Sequence, residues 1–156
     1  TGVTLRENNL KQIEGGTLQL KVHEGVKKFP YTDTVGKLTI GVGRNLDDRG
    51  LSDAEVDHLL QNDLRLAAFE LDQAVPDWWR LTNNRRAVLV DMMFNLGRPR
   101  LLTFKNFLAA LKACDYHKAA AEMLDSKWAQ QVGQRAKVLA YMMKHDAPFE
   151  TARGKA

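Results

Sequence analysis

Apolar residues after position 50 recur at intervals of three and four, which is the spacing of amphipathic helices. The first such run begins with Ser52 and Glu55, whose spacing is that of a capping box, and Pro76 stops it after Val75. It is the longest element that the pattern predicts. Shorter helices are predicted from Asn84 to Leu96, from a cap at Thr103 through Leu111, from a cap at Asp115 to Leu124, and from Gln134 to His145.

Residues 28–46 have a different pattern, which indicates a strand, a turn and a second strand. The turn is predicted between Asp33 and Gly36. Gly36, Gly41 and Gly43 suit tight turns, or places where another backbone or a ligand comes close.

The residues before this hairpin are more polar. Residues 1–14 are interpreted as an arm or linker that Gly15-Gly16 ends, and Thr17 is a candidate cap for a short helix ending near Glu24-Gly25. The predicted class is therefore α+β, with a small sheet-bearing N-terminal lobe, one long connecting helix and a helical C-terminal lobe. A cleft between two such lobes is a favoured place for a ligand.

Composition narrows the class of protein. The 156 residues suit one compact unit, and a net charge of +4 with a pI near 9.3 favours polyanionic partners such as nucleic acid, anionic lipid or bacterial cell wall. The sequence contains no apolar run long enough to span a membrane and no recognisable signal peptide, so we expect no membrane insertion. Because it begins at Thr1 without a methionine, we expect a processed chain or a piece of a longer one.

Sequence motifs for metal binding are absent or incomplete in this chain. Four histidines and one cysteine form no zinc pattern, and the calcium-like stretch 45–50 has Arg49 where an acceptor belongs, so neither a metal nor a cofactor is expected. Trp78-Trp79 is interpreted as a packing anchor at the end of the long helix.

One pair of carboxylates has the character of a glycosidase site. Glu24 ends an apolar helix, Asp33 lies in the hairpin that follows, and Thr39 lies on the returning strand. Glycoside hydrolysis requires an acid for the leaving oxygen and a second carboxylate for the water or the developing charge. Taken alone, however, two acids nine residues apart are more often solvated surface charges.

The sequence around these residues resembles that of the T-even phage lysozymes, glycoside hydrolase family 24. The matching segments are Glu24-x8-Asp33-x5-Thr39 with their neighbours, Asn84-Arg85-Arg86-Ala87 to Phe94-Asn95-Leu96-Gly97, Ser126-Lys127-Trp128 and Gln134-Arg135-Ala136-Lys137. They occur in the family's order over residues 15–148, which would be the lysozyme domain, with 1–14 as an arm and 149–156 as a tail.

The resemblance implies roles for residues. Glu24 would be the general acid, while Asp33 and Thr39 would hold the water. The positions implied to contact substrate are Asn95, Lys127 and Val132, the last standing where a small polar residue is expected. Supporting positions are Tyr31, Arg44, Asp63 and Arg135: we expect Arg44 to pair with Asp63, and Arg135 to reach Glu24.

The function implied is hydrolysis of the β-1,4 bond between N-acetylmuramic acid and N-acetylglucosamine in peptidoglycan, with inversion. Such an endolysin or tail-associated lysozyme would act as a monomer, or as part of a larger virion protein, on the host's peptidoglycan layer. A lytic transglycosylase would cleave the same bond but usually relies on one carboxylate. A non-catalytic module binding wall or nucleic acid is the other alternative, although the basic residues are dispersed among acids rather than clustered.

Overall fold

A computed structural model describes residues 14–156, with side chains described from residue 17 onward. It divides the chain into two compact units, the first ending at Asp57 and the second spanning His58–Ala156. The first unit contains a small antiparallel sheet, whereas the described part of the second is helical throughout, so the predicted α+β class is confirmed.

The first unit is built around a three-stranded sheet. Its elements are α1 (Glu14–Glu24), β1 (Lys27–Thr32), β2 (Leu38–Gly41), β3 (Arg44–Asn45), α2 (Leu46–Arg49) and the first turn of α3 (Asp53–Ala74). The strands are antiparallel in the order β1-β2-β3, with Thr39 opposite Tyr31 on one side and Asn45 on the other. The predicted hairpin is confirmed, and β3 is an addition too short for periodicity to indicate.

The start of α1 differs from the prediction. Within the described residues the helix includes Glu14 and Gly15-Gly16, so Thr17 lies inside it rather than capping it. Glycine tolerates helical dihedral angles at a cost of roughly 0.5–1 kcal/mol relative to alanine, and a glycine pair is therefore not a compulsory stop. The remainder of the predicted arm lies outside the described residues.

The second unit continues α3 and adds helices of varied length. They are a 3-10 turn (Trp78–Arg80), α4 (Asn83–Leu96), α5 (Arg98–Leu101), α6 (Lys105–Lys112), α7 (Tyr116–Leu124), α8 (Lys127–Val132), α9 (Gln134–His145) and α10 (Phe149–Lys155). The region interpreted as a tail after residue 148 thus contains α10, which buries Ala152 completely.

Side-chain caps explain about half of the helix starts in the described part of the chain. Ser52 Oγ accepts from Glu55 N at 3.2 Å while Glu55 Oε2 accepts from Ser52 N at 3.3 Å, as the capping box predicts. Asp115 caps α7 through Lys118 N. The predicted cap at Thr103 is wrong. The Thr103 hydroxyl donates to the Arg100 carbonyl at 2.6 Å, and α6 begins after Phe104 without a side-chain cap.

The hydrophobic core of the second unit centres on α4. This helix buries Val88, Leu89, Met92, Met93 and Leu96, as expected for a central helix. Trp78 is half-buried against this core and donates to Asp72 Oδ1 at 2.7 Å, which fits the predicted anchor, whereas Trp79 is exposed. No helix between residues 14 and 156 is long and apolar enough to cross a membrane.

Candidate functional site

Glu24 is the last residue of α1. Gly25 follows with a φ of +75°, and its N–H donates to the Lys21 carbonyl at 3.0 Å, so the helix stops there. Glu24 is an exposed residue. The helix end thus presents a carboxyl group accessible to a substrate.

The Glu24 carboxyl rests against the backbone of Gly43, in the turn between β2 and β3. A methyl group on Gly43 would lie 2.9 Å from Glu24 Oε2, closer than real Cβ atoms come, and 3.1 Å from Cδ, which is tighter than most such contacts. This contact brings the end of α1 onto the sheet that carries Asp33 and Thr39.

Asp33 lies in the turn between β1 and β2, where the backbone holds its side chain. Its Oδ1 accepts from Val35 N at 3.0 Å and from Lys37 N at 2.8 Å. No hydrogen bond from within residues 14–156 reaches Oδ2. One carboxylate oxygen therefore fixes the orientation of the group and the other is available to a bound molecule.

Thr39 is on the central strand β2 and is only 3% exposed, the one buried polar side chain among those described. Its Oγ1 donates to the Lys37 carbonyl at 3.0 Å. Because the hydroxyl hydrogen is used in this way, Thr39 is left with lone pairs that can accept from a water molecule. Tyr31, half-buried, is its partner residue on β1.

Arg44 forms a different ion pair from the one predicted. Its guanidinium binds both carboxylate oxygens of Glu55, at 2.5 and 2.7 Å, and also donates to the Gly50 carbonyl at 3.2 Å. The expected partner was Asp63. Arg44 pairs with Glu55 because the capping box places the Glu55 carboxylate at the first turn of α3, beside β3. The hydrogen bonds from Arg44 lower the pKa of Glu55 to about 2.

Helix α2 anchors the start of β2. Asp47 Oδ2 accepts from Leu38 N at 2.7 Å, and the Lys37 ammonium donates to Asp48 Oδ1 at 3.0 Å. That hydrogen bond raises the pKa of Lys37 and lowers the pKa of Asp48. The segment between Asp33 and Thr39 is thus held from both ends.

Two of the predicted substrate contacts lie close to Trp128 in the second unit. Asn95 Oδ1, near the end of α4, accepts from Trp128 Nε1 at 2.8 Å, and Trp128 is itself buried beside Phe104. Lys127 is exposed and lines, with Trp128, a pocket of about 330 Å³. These two residues therefore share one region of the second unit.

The other two predicted positions in this unit are engaged in packing or pairing. Val132 ends α8 half-buried and packs against the core, as an apolar side chain does. Arg135, expected to reach Glu24, pairs instead with Asp91 Oδ1 at 2.7 and 2.8 Å. The first turn of α9 packs beside α4, and Asp91 is the carboxylate that α4 offers there.

The geometry of the first unit suits acid–base chemistry. A carboxyl group at a helix end, an oriented carboxylate and a hydroxyl with free lone pairs are the parts that glycoside hydrolysis uses. Among residues 14–156, no group of three or more His, Cys, Asp or Glu side chains is placed to hold a metal ion.

Two residues of this unit were missed as functional candidates. Gly43 was assigned only a turn or a close approach, without its partner, and Glu55 only a capping role. The Gly-x-Gly sequence of residues 41–43 was the one signal for the first, and nothing in the spacing distinguished Glu55 from Asp63 as the partner of Arg44.

Comparison with known proteins gives a consistent result. The family model described as phage lysozyme matches residues 21–145. The chain is 28% identical to probable T4-type lysozyme 1 of Dictyostelium discoideum, over 75% of this chain and 86% of that protein. It is 28% identical to the SAR-endolysin of Escherichia phage Mu, over 97% and 88%. It is 27% identical to the pre-baseplate central spike protein Gp5 of Enterobacteria phage T4, over 75% of this chain but 25% of that protein.

Proposed function

Because this chain belongs to the phage lysozyme family, and is a glycoside hydrolase that cleaves peptidoglycan, we propose that its target is the N-acetylmuramic acid to N-acetylglucosamine β-1,4 bond. Glu24 is the general acid of this reaction. The observation that carries the proposal is the contact between the Glu24 carboxyl and Gly43, on the sheet of Asp33 and Thr39.

The proton transfers follow from the groups present. Protonated Glu24 gives its proton to the glycosidic oxygen as the bond from that oxygen to C1 breaks. A water molecule forms the new bond to C1 from the opposite face of the ring and loses a proton to Asp33 Oδ2. Thr39 orients that water by accepting its second hydrogen. Solvent then reprotonates Glu24 and deprotonates Asp33 for the next cycle.

Contacts in the second unit belong to the same proposal. Asn95 and Lys127 contact the glycan or its attached peptide, and Val132 offers an apolar contact. Tyr31 and the Arg44–Glu55 pair support the sheet. The similarity to an endolysin and to a spike protein supports two settings, a released enzyme or part of a larger virion protein, both acting on host peptidoglycan.

Replacing Glu24 tests the acid. Glu24→Gln keeps the shape of the side chain but has no proton to give, so the lytic rate should fall below a tenth of wild type at about neutral pH. Turbidity of outer-membrane-permeabilised bacteria measures it. Glu150→Gln makes the same change on an exposed glutamate of α10 and serves as the control. A folded Glu24→Gln protein that lyses faster than this contradicts the assignment.

The anomer of the first product tests the mechanism. Attack by a water held at Asp33 inverts the configuration, which requires carboxyl groups roughly 6.5–9.5 Å apart rather than about 5 Å. Proton NMR of a soluble peptidoglycan fragment should therefore show the α-anomer first. An initial β-anomer would mean a covalent intermediate, and a 1,6-anhydro end would mean a transglycosylase.

A further inference from the structure

Glu24 meets the sheet at one point, and that point is a glycine. A side chain on Gly43 would lie 2.9 Å from Glu24 Oε2, 3.1 Å from Cδ and 3.4 Å from Cγ. All three atoms belong to the outer part of the glutamate side chain. The carboxyl group and its adjoining methylene thus occupy the space beside Gly43 that a side chain would fill.

This contact is particular to Gly43 and not a general property of the turn glycines. Gly41, two residues earlier, has nearly the same φ, +70° against +72°, yet a methyl group there would meet nothing within 4 Å. Gly36 has a φ of +84° and is likewise open. All three positions need glycine for their backbone conformation, but only Gly43 also needs it for room.

The position of Gly43 is itself fixed by the next residue. Arg44 binds both oxygens of Glu55 and the Gly50 carbonyl, and Glu55 is held at the start of α3 by its capping contacts with Ser52. A bidentate pair between planar groups restricts distance and angle together. The turn that faces Glu24 is therefore attached to the first turn of α3.

We propose that Gly43, held in place by the Arg44–Glu55 pair, is the positioning residue of the general acid. It acts through Glu24 and not on the substrate, and this inference rests on the role of Glu24 proposed above. Glu24 is an exposed residue at a helix end, and its side chain has three rotatable bonds. Without a supporting surface its carboxyl group would therefore sample several positions. A misplacement of about 1 Å can lower a rate about 100-fold.

Two alanine variants isolate the contact. Gly41→Ala and Gly43→Ala impose the same left-handed strain on the same turn, but only the second displaces Glu24. The far end of a flexible side chain moves more easily than backbone, so Gly43→Ala should fold as Gly41→Ala does. Its kcat on soluble peptidoglycan fragments should be about 100-fold lower than that of Gly41→Ala, with KM unchanged.

The pH profile distinguishes positioning from general weakening. A displaced acid titrates in new surroundings, so the basic limb of the kcat profile should move in Gly43→Ala and stay in place in Gly41→Ala. Carbon-13 NMR of the Glu24 carboxyl should show the same difference. Equal kcat values and equal basic limbs in the two variants would overturn the proposal.

A second variant keeps the test open if Gly43→Ala does not fold. Arg44→Lys retains Gly43 and the charge but loses the bidentate geometry, and should lower kcat and move the basic limb with KM unchanged. An unmoved limb and an unchanged kcat in this variant would refute the role of the pair. Activity remaining in Glu24→Gln would refute the acid itself, so the two failures are distinguishable.

Discussion

At the scale of single residues, Thr39 has the least ordinary environment. Threonine side chains are mostly exposed to solvent in folded proteins. Thr39, in contrast, is 3% exposed, and its hydroxyl donates to the Lys37 carbonyl. That carbonyl also accepts from Asp33 N at 2.8 Å. The backbone oxygen is therefore satisfied without Thr39, and the hydroxyl is not needed to complete the turn.

Removing this hydroxyl should lower activity more than stability. Thr39→Val keeps the shape, and because Lys37 O retains its bond from Asp33 N, the loss in unfolding free energy should be about 0.5–1.5 kcal/mol. In the proposed mechanism the attacking water then loses an acceptor, so kcat should fall about tenfold, or ~1.4 kcal/mol in the barrier. Thr39→Ser, which keeps the hydroxyl, should retain most of kcat. Equal kcat in both variants would remove Thr39 from the mechanism.

At the scale of elements, one carboxylate joins two parts of the first unit. Glu55 caps α3 through Ser52 and also binds Arg44 on β3. The capping half of this arrangement was predictable from four consecutive residues. The pairing half was not, because several acids follow Arg44 along the chain and only the folded chain selects one of them.

The Arg44–Glu55 pair should make stability depend on pH in a defined window. Its hydrogen bonds lower the pKa of Glu55 from 4.5 to about 2, so the folded state favours the charged form. The stabilisation is fully present above pH 4.5 and is lost as the pH falls toward 2. Denaturant unfolding of wild type and Glu55→Gln should differ at about neutral pH and converge near the lower value.

An exposed pair supplies the control for that window. Glu150 and Arg153 on α10 approach to 3.5 Å with both side chains more than half exposed, so solvent screens them. Glu150→Gln should show almost no difference from wild type at either pH. A constant difference between wild type and Glu55→Gln across the whole range would mean that the pair does not titrate with folding.

At the scale of the whole molecule, the net charge of +4 is the property that acts over distance. Its 23 basic and 19 acidic residues are interspersed along the chain, which suits attraction to an extended anionic wall better than recognition of one charged ligand. Such attraction is screened over about 8 Å at physiological ionic strength. It should therefore affect encounter with the wall and leave the chemical step unchanged.

Salt should separate these two steps. Raising the ionic strength from about 0.01 M to about 1 M shortens the screening length from about 30 Å to about 3 Å, so the rate of lysis of whole permeabilised cells should fall. The kcat on a short soluble peptidoglycan fragment at saturating concentration, measured over the same range, should stay constant. A parallel fall of both would indicate an effect of salt on the fold instead of on encounter.

The sequence by itself determined the features that depend on near neighbours. The start of α3, the cap of α7 and the β1–β2 hairpin follow from side chains within four residues of the groups they satisfy. The spacing of Glu24, Asp33 and Thr39, together with the residues around them and the matching segments later in the chain, indicated the family. Gly15-Gly16 and Thr103 mark the limit of such reasoning, because glycine also tolerates a helix and a hydroxyl can bond backward as well as forward.

Only the tertiary structure decided which distant groups meet. A guanidinium binds any carboxylate within reach, so the choice of Glu55 for Arg44 and Asp91 for Arg135 depended on how α3, α4 and α9 pack. The burial of Thr39 required strands on both sides of β2. The role of Gly43 required the end of α1 to arrive where a side chain would have stood, a coincidence of position that no local pattern records.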